Sequence, residues 1–385
     1  MNGVSGDDRF VNERGVTATW YGLTGVLNAL WGATLPATDV RLDLGAGGLG
    51  VLLTVLAAGA LVGMPTGGRL GLRVTGPAAA LTLIVPAVAP TEVLLVVSAF
   101  VLGVAFGALN VALSLRAVAV ERAHDRMIMA TMHGTWTLGA VAGGAGVTAG
   151  LRAGVDVQVL LFAGAVVLAV LMLAVGGSPV APVVPSTPTS AARPRQIVLL
   201  GVIGAAAFVT EGAATDWAGV HATRVLGADP ATASLVYTVF FGAMTVVRFV
   251  GDAVRTRLGG PRTIRLAGGI ATAGYALVLL SGALPSVGVA MAGWVLAGAG
   301  MAMVWPIVVS ALGAAGGRLS AVTMISYGGG LLGPSVIGFV AAGTTLPVAL
   351  LIPAALALVV VTLAPVLPKE NKEIPCSPTR STPSR

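Results

Sequence analysis

Charge is scarce in this sequence. Asp, Glu, Lys and Arg make up 10% of the 385 residues, where a soluble domain carries about 25%. With 56% of residues hydrophobic, too few polar groups remain to cover a water-facing surface, so the surface must face lipid. Aromatic residues are also few, at 5%, whereas glycine is abundant at 54 residues. Small residues let helices approach closely in a bilayer, where van der Waals packing replaces the hydrophobic drive. Cysteine is nearly missing: Cys376, in the polar tail, is the single one. That excludes a disulfide framework, a Cys-based metal site and a catalytic thiol in the apolar body. P-loop, HExxH and GxSxG patterns are absent, as is any cluster of metal ligands. Gly45-Ala-Gly47-Gly-Leu-Gly50 spells GxGxxG, but a dinucleotide site needs a buried strand before it and an acidic residue about 20 positions on. Here a charged loop precedes the glycines and an apolar run follows, so the match is rejected. No cofactor or metal is expected, and the chain does not read as an enzyme.

What the sequence has is long apolar runs. A membrane-crossing helix needs about 20 mostly apolar residues. That ruler finds twelve: 16–36, 46–68, 74–90, 92–115, 128–150, 156–176, 196–217, 231–251, 263–282, 286–309, 319–342 and 345–366. The net charge of +7 does not indicate nucleic acid, because the basic residues sit in short loops between the runs. With the N-terminus placed inside, 19 of the 22 Lys and Arg fall on the inner side, leaving Arg41, Arg152 and Arg224 outside. This bias supports both the count and an orientation with both termini cytoplasmic. The N-terminus carries Asp7, Asp8 and Glu13 rather than a basic stretch, so the first run reads as an uncleaved helix.

The runs divide the chain into a cytoplasmic segment 1–15, a six-helix bundle 16–176, a linker 177–195, a second bundle 196–366 and a basic tail 367–385. The linker, rich in Pro, Ser and Thr, reads as flexible and the tail as disordered. The two bundles read as a parallel repeat. Laying 59–77 on 242–260 aligns Gly59 with Gly242 and Gly68 with Gly251, and laying 134–144 on 328–338 aligns Gly134 with Gly328 and Gly139 with Gly333. The fold class is therefore an all-α membrane protein of twelve transmembrane helices in two six-helix bundles.

The turn after the eighth run reads Arg248-Phe-Val-Gly251-Asp252-Ala-Val-Arg255-Thr-Arg257-Leu-Gly259-Gly260-Pro-Arg262. It resembles the Gly-x-x-x-Asp-Arg-x-Gly-Arg-Arg signature of the major facilitator superfamily, although the equivalent first-half turn has Arg69 where Asp252 stands. Glu211-Gly-Ala-Ala-Thr-Asp216-Trp217, His133-Gly-Thr-Trp136-Thr-Leu-Gly139 and Tyr327-Gly-Gly-Gly-Leu-Leu-Gly333-Pro334 resemble runs in the bacterial branch of fucose and other sugar permeases. The resemblance spans nearly the whole chain. It implies the major facilitator fold and a secondary transporter working by alternating access.

Ionisable and polar groups inside spans are costly and call for a reason. Glu211 lies about 22 Å along the seventh helix, in the outer half of the membrane by the 1.5 Å rise, and Asp216 lies further out. A buried carboxyl beside an alternating cavity can take a proton on one side and release it on the other. His133 and Asn110 lie at similar depth toward the inner side, and His133 is a further proton-acceptor candidate. Structural readings compete with each: a hydrogen-bonded carboxyl, a rim charge, and a His–Asn interhelical bond or a bond to a backbone carbonyl. Asn28, Trp31, Asn110, Trp136, Trp305 and Tyr327 are candidate solute contacts, with packing as the alternative. Arg248 and Asp252, four residues apart, can pair on one helix face. With Arg255 and Arg257 they form a candidate gating group.

The expected function is movement of a small solute, sugar-like or otherwise polar, across a bacterial-type inner membrane, with proton coupling through Glu211. Export of apolar compounds is the alternative within the transporter class. A membrane enzyme or non-transporting receptor is disfavoured, since no catalytic set converges at one depth and no stretch is long enough for a soluble domain. Solute, protons and lipid are the expected partners, and the chain is expected to be a monomer.

Overall fold

The computed structural model describes residues 6–124, 128–175, 194–314 and 319–367. Nearly all of them are helical. The first half comprises α1 (Gly6–Leu42), α2 (Gly45–Leu70), α3 (Leu72–Thr82), α4 (Ile84–Val88), α5 (Glu92–His124), α6 (Met129–Arg152) and α7 (Val157–Ala174). The second comprises α8 (Pro194–Arg224), α9 (Pro230–Leu258), α10 (Gly260–Ala283), α11 (Val287–Met301), α12 (Val304–Ala314), α13 (Leu319–Gly343), α14 (Leu346–Ala349) and α15 (Leu351–Leu363). Three expected spans are each built from two helices: α3 with α4, α11 with α12, and α14 with α15. Twelve columns result, six per half. The expected linker and tail lie almost wholly outside the described residues.

Among the described residues, nine stretches are long and apolar enough to cross a membrane. The other three columns fall short for visible reasons. The α3–α4 column is short and carries Pro77 and Pro86. The α1 and α6 columns hold polar residues that face the seam between the bundles.

Several helices outrun the apolar ruler. Helix α9 continues to Leu258, seven residues past the expected end, and stops at Gly259 with φ +78°. Helix α5 runs to His124, and Glu121 near its end accepts hydrogen bonds from the Ile128 and Met129 backbone N–H groups at 2.8 and 2.9 Å. That carboxylate satisfies free donors at the start of α6. Hydropathy marks the lipid-crossing part of a helix; caps decide where the helix ends.

Within each half, glycines bring backbones together. A methyl group at Gly63 would overlap the Val104 carbonyl, and one at Gly107 would overlap that of Ala60, so α2 and α5 interlock. Helices α1 and α6 do the same through Gly25 against Trp136 and Gly139 against Gly22. The corresponding pair in the second half, α8 and α13, meets through Gly201, Gly204, Gly329 and Gly333. Equivalent columns thus pack alike in both halves.

The halves meet along α1 with α8 and α9, α6 with α9, and α2 with α13. At the end remote from the chain termini this seam is tight. The Gly50 and Gly338 backbones touch, Gly219 lies against Pro36, and the Thr148 and Ser234 hydroxyls share a hydrogen bond of 3.0 Å.

Candidate functional site: the cavity between the bundles

A cavity of about 130 Å³ lies on the seam. Helix α1 contributes Tyr21, Thr24, Leu27 and Asn28, and α5 contributes Phe106, Leu109, Asn110, Leu113 and Ser114. His133 and Trp136 come from α6, Phe208 and Glu211 from α8, and Tyr327 from α13. Asn110 and Ser114 are exposed and lie toward the end that carries the chain termini. The cavity is therefore open on that side and sealed on the other.

The polar groups are held in place by specific partners. Asn28 Nδ2 donates to the Tyr237 hydroxyl at 3.4 Å, joining α1 to α9 above the cavity. Asn110 Nδ2 donates to a backbone carbonyl, that of Phe106 on its own helix, at 3.0 Å. The His133 ring meets Tyr21 edge-on at 6.0 Å. Aromatic rings make one wall: Phe208 stacks on Tyr327 at 4.7 Å with 26° between planes, and Trp305 packs behind both. Trp136 meets Phe241 edge-on at 5.7 Å.

Glu211 sits near the midpoint of α8 rather than toward its far end, because α8 begins at Pro194 and overhangs on the terminal side. Its Oε2 is 3.7 Å from Nη2 of Arg248. The apolar ruler had placed Arg248 near the inner helix end. The longer α9 instead puts it ten residues before Leu258, about 15 Å inside the helix end. It is 9% exposed. Arg248 also donates through Nη1 to the His133 carbonyl at 3.2 Å and through Nε to the Ala302 carbonyl at 3.4 Å. Its expected partner, Asp252, has a side chain outside the described residues. Arg255 donates to Ser310 Oγ at 2.9 Å within the second half, and Arg257 is exposed.

Six expected site residues converge on the cavity: Asn28, Asn110, His133, Trp136, Glu211 and Tyr327. Three do not line it. Trp31 is buried, Trp305 stands behind the Phe208–Tyr327 wall, and Asp216 is half-buried further toward the far end. Sequence reasoning missed Tyr21, Tyr237, Phe208 and Ser114, whose residue types are unremarkable in a helix. It also missed a clasp on the sealed side. Arg224 of α8 donates from Nε and Nη2 to Asp39 of α1 at 2.7 and 2.9 Å, and from Nη1 to Asp43 at 3.0 Å. The visible signal was an outside arginine facing a loop with two acidic residues.

No family model matches the chain. It is 32% identical over 371 residues to the uncharacterized transporter y4wD of Sinorhizobium fredii, covering 92% of this chain and 97% of that one. It is 29% identical over 359 residues to an uncharacterized MFS-type transporter of Yersinia pestis, covering 88% and 91%. The chain belongs to the major facilitator superfamily. Solved superfamily structures share the fold. The nucleoside transporter NupG superposes with a TM-score of 0.65 at 16% identity, covering 92% of this chain and 99% of that one. The Escherichia coli fucose:proton symporter FucP superposes with a TM-score of 0.58 at 17% identity, covering 94% and 99%. The chain is accordingly a multi-pass membrane transporter of a small solute, and not an enzyme.

Proposed function

We propose that this transporter moves a sugar-like or similarly polar, ring-bearing metabolite across the cell membrane, coupled to protons through Glu211. The observation that carries this reading is a carboxylate in the cavity wall, at the seam, 3.7 Å from a buried arginine. A carboxyl there meets the solvent of whichever compartment the cavity opens to, so it can load and unload a proton as the bundles rock. Around it stand hydrogen-bonding groups for hydroxyls, from Asn28, Asn110, Thr24 and Ser114, and the aromatic wall of Phe208 and Tyr327 for a ring face. Such a lining suits a polar ring better than an apolar compound. FucP, a fucose:proton symporter, pairs the same two kinds of cargo.

In this reading the chain termini are cytoplasmic, an orientation the arginine bias supports, and the conformation is inward-facing, with Arg224, Asp39 and Asp43 forming the outer gate. The linker and tail belong to the cytoplasmic side, and the chain works as a monomer in the inner membrane.

The test begins with a thermal-shift screen of sugars, nucleosides, acids and drugs to find the solute. The purified protein then goes into vesicles with an imposed pH gradient. Glu211→Gln abolishes gradient-driven accumulation and leaves solute exchange intact. Accumulation that survives the substitution removes Glu211 from the coupling.

A further inference from the structure

Arg248 is doing more than balancing one carboxylate. A guanidinium has five N–H donors in a rigid plane, and here three nitrogens point at three different columns of the fold. Nη2 faces Glu211 on α8, Nη1 donates to the His133 carbonyl on α6, and Nε donates to the Ala302 carbonyl between α11 and α12. The α6 contact belongs to the opposite bundle. The Ala302 contact has a local cause. Pro306 stands four residues after Ala302 and has no N–H, so the Ala302 carbonyl lacks its helical donor and α11 breaks before α12 begins. Arg248 fills the vacancy.

We propose that Arg248 is a positioning residue that ties the charge of Glu211 to the seam between the bundles, with Pro306 fixing its place. The proposal rests on Glu211 being the coupling group. The plane of the guanidinium transmits the change: when the carboxylate loses its charge, Nη2 loses its main attraction. The fork then reorients, and the Nη1 bond to the opposite bundle reorients with it. Other titratable groups face Glu211 as well: Tyr237 from α9, His133 from α6, Tyr327 from α13, Tyr21 from α1, and Asp216 further along α8. Of these neighbours, Arg248 is the one that holds Glu211 and a backbone carbonyl of the first bundle with one rigid group.

The experiment reads seam opening as a function of pH. Cys376→Ser removes the native thiol and Ser114→Cys places a reporter in the cavity, labelled by a hydrophilic maleimide in detergent at pH 5 to 8, with each rate divided by that of the same cysteine in denatured protein at the same pH, so that the thiol's own titration cancels. The parent is expected to change its labelling rate on the order of tenfold over this range, an ordinary coupling magnitude. Arg248→Gln flattens the response to below about twofold. Arg248→Lys keeps the charge beside Glu211 but cannot span three partners from one nitrogen, and it flattens the response as well. Pro306→Ala leaves both ionic groups in place and restores an N–H for the Ala302 carbonyl, displacing the Nε leg. It is expected to reduce the response at least about threefold. Should Arg248→Gln fail to fold, the lysine and Pro306 variants decide. A parent-like response in Arg248→Lys and Pro306→Ala, alongside a flat response in Glu211→Gln, overturns the role of Arg248 and leaves Glu211 as the coupling group. A parent-like response in Glu211→Gln overturns the coupling reading and this inference together.

Discussion

Removing Arg224 should open the sealed end of the molecule. Both oxygens of Asp39 are held by this one guanidinium, and the Asp39 side chain is 0% exposed. Its other partner is the backbone N–H of Gly45 at 3.1 Å. Breaking a buried ion pair by deleting one member costs about 3–5 kcal/mol. The Arg224 side chain is 34% exposed, and solvent screening lowers the figure to about 2–3 kcal/mol. Because Asp39 sits on α1 and Arg224 on α8, the contact exists only while the two bundles touch at this end. Its loss therefore shifts the equilibrium toward the state open there by roughly 30–150-fold. Asp43 is a contrasting partner. Its side chain is 87% exposed, and Asp43→Ala should move the balance by no more than about twofold. A cysteine replacing Ser234, buried on the α6–α9 seam near this end, reports the opening through its rate of thiol labelling. Arg224→Ala should accelerate labelling strongly and Asp43→Ala barely. Equal rates in Arg224→Ala and the parent, or equal acceleration by the two variants, would show that the clasp does not hold the seam shut.

The clasp also marks where sequence reasoning stops. Columns of apolar residues and the one-sided arginines were legible because both reflect a single physical variable, depth in the bilayer. Glu211, Asn28 and His133 were legible because a polar group inside an apolar run has few reasons to be there. Their convergence on one cavity follows from the two-bundle architecture. The partner of Arg248 was not legible. Asp252 is close in the chain and fits the helical period, so a local rule finds it; Glu211 lies on an antiparallel neighbour, and only the register of α8 against α9 brings the two together. The same holds for Arg224 and Asp39, which are separated by 185 residues. Trp31 follows Asn28 by three residues, yet Trp31 is buried away from the cavity lining while Asn28 reaches Tyr237. Helical spacing separates such faces only when the axis orientation is known, and apolar content all around a spanning helix hides it.

Two further predictions concern the scaffold. Gly63→Leu forces a side chain into the Val104 carbonyl and should separate α2 from α5, costing at least the 1–3 kcal/mol typical of overpacking. The readout is loss of monodisperse protein on size exclusion. Gly269→Ala, where an added methyl meets nothing within 4 Å, should instead be neutral or stabilising by a few tenths of a kcal/mol. Asp229 caps α9. Its carboxylate accepts from the Thr232 hydroxyl at 2.6 Å and from the Thr232 and Ala231 N–H groups at 3.0 and 2.9 Å. Asp229→Ala should cost about 1 kcal/mol at pH 7. The hydrogen bonds from Thr232 and Ala231 hold the Asp229 carboxyl below its ordinary range. A depressed folded value means that the charged cap stabilises the fold above the unfolded pKa and ceases to do so as pH falls through the folded one. The gap in thermal unfolding midpoint between parent and Asp229→Ala should therefore narrow on acidification below about pH 4. Asp229→Asn, which keeps an acceptor but not the charge, should fall between the parent and Asp229→Ala at pH 7. A gap that stays constant down to pH 3, or an asparagine variant as stable as the parent at pH 7, would mean that the charge-assisted cap is not what holds the start of α9.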